Sequence, residues 1–303
     1  MGTPEFAVPV LKGLIDNYEV VLVVTQPDKI VGRKKELTSS PVKKLATQNN
    51  IPVFQPTKIR TDYEVVINTK ADIIITCAFG QIIPKEILDY PRLGCINVHA
   101  SLLPKLRGGA PIHKAIIDGY EKTGITIMYM DQNMDTGDII SQREYTISDT
   151  DNVGLLHELL SKIGCELLLE TIPNIIEGKN ERIKQNDEEA TYAYNIKRED
   201  EHLDFNNKAL AIYNKIRGLN PWPLANILIN DEEIKVLDAY YELNSNKKEF
   251  GFINEIRSDA IGISSNDGTV YLTKIKPFGK KEMPVKDYLN GIDKNKLIGI
   301  SVK

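Results

Sequence analysis

Asn97 and His99 stand two residues apart in the run Asn97-Val98-His99-Ala100-Ser101-Leu102-Leu103-Pro104, which reads as a strand end turning into a loop. In an extended chain, residues i and i+2 point to one side, so an amide and an imidazole are presented together. Both can donate an N–H to an oxyanion developing in acyl transfer. The imidazole can also carry a proton near neutral pH. Asp135 lies in the turn-rich stretch Met134-Asp135-Thr136-Gly137-Asp138, shortly after a later strand-like segment. A carboxylate there could hold the His99 ring and favour its charged form. Donor, proton carrier and orienter form a general constellation that fixes no substrate. Blander readings stay open at this level: a strand-end His is usually structural or solvated, and an Asp in a D-T-G turn is usually a turn former.

Such residues need rigid elements behind them. Short, β-branched runs at 19–25, 71–77, 94–99 and 123–130 alternate with helical stretches at 7–15, 41–49 and 110–118. Continuous apolar runs suit strands buried on both faces of a parallel sheet, and the alternation predicts a doubly wound, Rossmann-like α/β domain. Ligands bind such sheets at the carboxyl ends of the strands, where Asn97 and His99 fall. A long helix is expected over 152–176, with Leu155, Leu156, Leu159, Leu160 and Ile163 at helical spacing. The polar stretch 177–201 reads as a crossing linker. A helix at 208–217 and short strands at 225–229, 233–239, 251–257, 260–264 and 270–275 then suggest a small β-barrel. The expected division is a catalytic domain over 1–184, a linker over 185–205 and a second domain over 206–303.

Composition excludes more than it selects. Of 303 residues, 42% are apolar and 26% charged, and the net charge is −4, which is ordinary for a globular chain with room for two domains. Residues from 206 onward balance at +3, a mild asymmetry. Cys77, Cys95 and Cys165 form no C-x-x-C pair. They read as buried thiols, in keeping with a reducing cytoplasm. No apolar run reaches the roughly 20 residues that span a bilayer, and the first residues lack a signal-peptide pattern. A cytoplasmic monomer without membrane contact is expected.

The stretches GTPEFAVPVL, VTQPDKIVGRKK, SSPVKKLA, IPVFQP, NVHASLLPKLRGGAPI, GITIMYMDQNMDTGDII and RGLNPWP occur in this order. Together they resemble the methionyl-tRNA formyltransferase family over nearly the whole chain. NVHASLLP with a later MDTGDI marks the wider folate-dependent formyltransferase superfamily; GTPEFA and RGLNPWP narrow the likeness to the tRNA enzymes. The resemblance implies initiator methionyl-tRNA and 10-formyltetrahydrofolate as substrates and requires no metal. By it, Asn97 and His99 would stabilise the tetrahedral oxyanion, and Asp135 would orient His99 and assist proton transfer. Ser101, Leu102, Leu103 and Pro104 match the folate-contacting stretch. Phe79, Gln81, Ile82 and Ile83 look like a wall of the pterin pocket, with plain core packing an equal alternative for each side chain. The basic run 29–44 would meet the tRNA acceptor end, with Arg33 at the family's key arginine and Lys34 and Lys35 beside it; the alternative is a solvated charge run. The second domain would be OB-like and touch the tRNA backbone, with Lys208, Lys215, Arg217, Lys280, Lys281 and Lys286 as candidates. Trp222 is read as packing, and His113, His157 and His202 receive no catalytic role.

One departure stands out. The family carries a short apolar strand before GTPEF, whereas this chain reads Met1-Gly2-Thr3-Pro4, so that first strand, usually central in a doubly wound sheet, is expected to be nearly absent. Two rival readings remain: a superfamily enzyme acting on a small amine, and a non-catalytic tRNA-binding module.

Overall fold

The computed structural model describes residues 1–32, 35–244 and 249–303. In chain order the helices are α1 (Val8–Asn17), α2 (Pro41–Gln48), α3 (Glu64–Ile67), α4 (Lys85–Leu88), α5 (Pro111–Ile117), α6 (Val153–Ile176), α7 (Ala209–Gly218) and α8 (Val285–Leu289). The strands are β1 (Val23–Val24), β2 (Lys29–Val31), β3 (Glu36–Thr38), β4 (Val53–Phe54), β5 (Ile74–Thr76), β6 (Cys95–His99), β7 (Lys122–Tyr129), β8 (Ile139–Thr146), β9 (Ala225–Ile229), β10 (Glu232–Leu243), β11 (Ile253–Ile256), β12 (Ile261–Ser264), β13 (Gly268–Pro277) and β14 (Met283–Pro284). They fall into two compact units. One comprises Met1–Pro111, Lys122–Thr146 and His157–Tyr194; the other comprises Ile112–Glu121, Ile147–Leu156 and Asn195–Lys303.

In the first unit, β1 pairs β4 in parallel and β5 pairs β6 in parallel. The expected parallel character stops there, because β6–β7 and β7–β8 are antiparallel. Continuous apolar sequence reports burial on both faces, and β7 is buried at six successive positions; it does not report strand direction. Met1 and Gly2 stitch β1 to β5. Gly2 N donates to Val24 O at 3.0 Å, the Met1 ammonium donates to Ile75 O at 2.6 Å, and Cys77 N donates to Met1 O at 2.9 Å. A cleft of about 450 Å³ opens beside Met1, lined among others by Val10, Leu11 and Leu14 of α1, Ile75 of β5 and Ile172 of α6. Burial lowers the Met1 ammonium from its ordinary 8.0 to about 6, because a charge gains little hydration there. The helices follow local rules: Pro41 opens α2, and the Ser40 side chain accepts from Lys43 N at 3.1 Å as its cap.

In the second unit, an antiparallel sheet runs β11-β12-β13-β10-β9, with β14 added to β13. Its core includes Ile227, Val236, Ile263, Val270 and Leu272, which are fully or almost fully buried; each such side chain contributes roughly 1.5–3 kcal/mol relative to exposure. The ladder is open rather than a closed barrel. Residues 299–303 hydrogen-bond to both of its ends without forming a strand, with isolated bridges of Ile229 with Val302 and Phe252 with Ser301. The stretch read as a linker is packed: Gln185 and Ala193 are buried in the first unit, and Leu203 and Phe205 in the second.

Candidate functional site

β6 carries Asn97 and His99, and its neighbours orient both. Asn97 lies opposite Thr76 of β5 and Met128 of β7, and His99 opposite Thr126. Thr76 Oγ1 donates to Asn97 Oδ1 at 2.8 Å. With the amide oxygen engaged, the NH2 end of Asn97 is the end offered to an anion. His99 is buried, and its Nε2 lies 3.1 Å from Leu106 O. A carbonyl only accepts, so Nε2 carries the proton and Nδ1 is the ring's remaining basic position. Nδ1 lies 3.7 Å from Asp135 Oδ2, too long for a hydrogen bond but within ion-pair reach. The Leu106 carbonyl therefore fixes the ring, while Asp135 faces the nitrogen that can gain charge.

Asp135 adopts a left-handed backbone, φ +55°, and its Oδ2 accepts from Gly108 N at 2.8 Å. Two residues on, a Cβ at Gly137 would sit 1.9 Å from Tyr129 O, so only glycine lets this turn close onto β7. The loop after His99 is pinned as firmly. Thr126 Oγ1 donates to Ser101 O at 2.7 Å and accepts from Leu103 N at 3.1 Å, while Gln142 Nε2 donates to Leu103 O at 2.9 Å. The Ser101 hydroxyl, fully buried, donates to Lys105 O. Leu103 is buried, whereas Leu102 and Pro104 are half-buried.

Residues 79–83 follow the end of β5 and divide by role. Phe79 and Ile83 enter the hydrophobic core with Ile59 and Ile87. Gln81 accepts from Ile59 N at 2.8 Å and donates to Pro56 O at 3.1 Å, bracing that segment. Ile82 is 62% exposed and is the one of the four turned to solvent.

With this geometry in place, the chain's relatives are informative. A formyl transferase family model matches residues 1–172, and a formyl transferase C-terminal domain model matches 195–293. Curated relatives named methionyl-tRNA formyltransferase include that of Geobacillus sp. strain WCH70, 52% identical over 306 residues, covering 100% of this chain and 96% of the relative. That of Bacillus subtilis strain 168 is 50% identical over 307 residues, covering 99% and 97%. The chain belongs to the methionyl-tRNA formyltransferase family. Solved structures similar in fold include WlaRD, a sugar 3N-formyltransferase in the presence of dTDP and 5-N-formyl-THF, with TM-score 0.66, 23% identity and coverage of 92% and 97%. Another is an N-formyltransferase from Helicobacter canadensis in complex with folinic acid and dTDP-3-aminofucose, with TM-score 0.68, 22% identity and coverage of 91% and 97%.

The described part of the basic run 29–44 covers β2 and β3, which pair from Lys29–Thr38 to Val31–Glu36, and the start of α2. Arg33 and Lys34 lie outside the described residues. Lys35 is exposed with φ +52°, and its N donates to Gly32 O at 3.2 Å. Ile30 and Leu37, register partners, are 66% and 70% exposed. Lys43 is engaged elsewhere, donating to Asp28 at 2.7 Å and holding that carboxyl below its ordinary range. In the second unit, two of the basic candidates turn inward. Lys215 donates to His202 O at 2.6 Å and Arg217 to Asp151 O at 2.8 Å, and burial lowers both groups. Trp222 is 42% exposed, edge-on to His113 at 6.3 Å. Sequence reasoning passed over Thr76, Leu106 and Thr126. Strand register could have paired Thr76 with Asn97, whereas nothing local marks Leu106 as the carbonyl that holds the ring.

Proposed function

We infer that the protein transfers the formyl group of 10-formyltetrahydrofolate to the amino group of methionyl-initiator tRNA, as a translation-initiation enzyme. The observation that carries this reading is the convergence of Asn97, His99 and Asp135 at the carboxyl end of β6 in a chain of this family. The methionyl nitrogen forms a C–N bond to the formyl carbon, and the bond from that carbon to N10 of the folate breaks. In between, a tetrahedral oxyanion accepts hydrogen bonds from the Asn97 amide and draws on the charge of a protonated His99. His99 Nδ1, neutral at the start and facing Asp135, takes up the proton released by the attacking amine; the charged ring then stands beside the oxyanion and returns the same proton to N10 as the bond to the formyl carbon breaks. Holding amine and formyl donor together supplies much of the acceleration, since a bimolecular encounter becomes intramolecular.

For the folate, Leu102, Pro104 and Ile82 offer partly or largely exposed apolar surface, while Ser101, Leu103, Phe79, Gln81 and Ile83 hold that surface in shape. The fold relatives solved with 5-N-formyl-THF and with folinic acid support a folate ligand. Arg33, Lys34 and Lys35 contact the acceptor arm through phosphates. The second unit supplies an OB-like platform for the tRNA backbone. No helix among the described residues is long and apolar enough to cross a membrane, and a cytoplasmic site of action is proposed.

The test is a substrate panel: charged initiator tRNA and an amino-sugar nucleotide, each with 10-formyltetrahydrofolate. Formylmethionyl-tRNA is the expected product. Formylation of the sugar nucleotide alone would favour the small-amine reading, and tRNA binding without folate consumption would mark a binding module.

A further inference from the structure

Arg107 is 2% exposed, and a buried guanidinium is costly unless its donors are satisfied. Its Nε and Nη2 donate to Gln185 Oε1 at 3.1 and 2.8 Å, and Nη2 also reaches Asp187 Oδ1 at 2.7 Å. Gln185 is itself buried. Its amide nitrogen donates to Asp135 O at 2.9 Å and to Gly137 O at 2.8 Å. The amide has one workable orientation, because a flip would set its NH2 against the guanidinium and its oxygen against two carbonyls. Arg107 is tied by its main chain as well: its N donates to Thr191 O at 2.8 Å, and its O accepts from Ala193 N at 2.7 Å. The next residue, Gly108, donates to the Asp135 carboxylate. A Cβ at Gly108 would come within 2.7 Å of Ala193 O, so the loop lies flat against residues 191–193.

We propose that Gln185 is a positioning residue for Asp135, anchored by the buried Arg107, and that the polar segment 183–193 thereby sets the His99–Asp135 distance on which turnover depends. This rests on the assignment of Asp135 made above. The Asp135 turn is left-handed, a conformation that a non-glycine residue keeps only when its surroundings hold it. Here Gly108 N holds the carboxylate, while the backbone of the turn is held by two hydrogen bonds from one amide to the carbonyls of Asp135 and Gly137. Without them the turn can relax, and a displacement near 1 Å at a reacting group can cost about 100-fold in rate.

The test is a double-mutant cycle on full-length protein between Gln185→Ala and Asp135→Ala, with kcat, KM for methionyl-tRNA, KM for the folate, the pH–rate profile and Tm recorded for each variant. Gln185→Ala should lower kcat about 10- to 100-fold and move the pH–rate profile, with both KM values within about threefold of wild type. In the Asp135→Ala background it should have little further effect on kcat. Gln185→Glu keeps an acceptor for Arg107 and so guards the fold, but removes both donors; it should match Gln185→Ala in kcat while retaining more of the Tm. Additive losses in the cycle, or a fall in Tm with an unchanged pH–rate profile, would overturn the positioning role. If Asp135→Ala itself turns over like wild type, the failure lies in the site assignment rather than in the brace.

Discussion

The corner formed by His99 and Asp135 and the β2–β3 hairpin are both expected to meet the substrates, yet they are built in opposite ways. In the corner, the ring is held by Leu106 O, the carboxylate by Gly108 N and the loop by Thr126 and Gln142. The hairpin exposes Ile30, Leu37 and Lys35. The difference follows from what each partner requires. A developing oxyanion is stabilised only by donors already in place, because reorganising them during the reaction costs what they would return. A phosphate backbone attracts cations over a longer range and tolerates variation in their placement. On the proposed function, hydrogen-bonded anchoring is concentrated where charge would change, and exposure where a polyanion would be met.

That contrast can be broken experimentally. The largest effect is expected at the corner: Asp135→Ala should cut turnover roughly 100- to 1,000-fold with little change in tRNA affinity; a filter-binding titration beside the rate separates the two. An intermediate effect is expected at Met1, which belongs to neither region. The depressed pKa means that the folded chain resists protonation there. The associated stability is present above about pH 8 and lost as pH falls towards about 6, by about 3 kcal/mol. Thermal melts between pH 6 and 8 read this directly: Tm should be lower at pH 6 than at pH 8, and a Tm unchanged across that range would count against it. The smallest effects belong to the basic run 29–44. Arg33→Ala should raise KM for methionyl-tRNA about tenfold with kcat nearly retained. Lys35→Ala should change KM only a few-fold and reduce the slope of log affinity against log salt by about 1. A variant of this run that lost kcat instead would erase the distinction.

The same contrast explains what could be read from sequence. Helices with local caps and periodicity were legible to within a residue or two; 152–176 was expected and Val153–Ile176 is found. Strand 225–229 coincides with β9, whereas β10 runs to Leu243 rather than 239 because it pairs with β13 well beyond its apolar stretch. The antiparallel direction of β7 was not legible, since burial pattern and direction are independent. Asn97 and His99 stand out as candidates because strand periodicity puts them on one face, and Asp135 through its turn and the family likeness. The groups that hold them were not. Gln185 lies in a stretch whose polarity reads as solvated, but there the amide is buried and serves two carbonyls and a guanidinium. Lys215 and Arg217 misled in the other direction, because a basic residue in sequence carries no sign of whether its donors are already used inside the fold.

The most direct test of the site is single-turnover formylation of methionyl-initiator tRNA at saturating 10-formyltetrahydrofolate, comparing wild type with His99→Ala. The transfer step should slow by about 100-fold or more while tRNA binding is retained. A transfer rate within about twofold of wild type would contradict the assignment of His99, and with it the role given to Asp135.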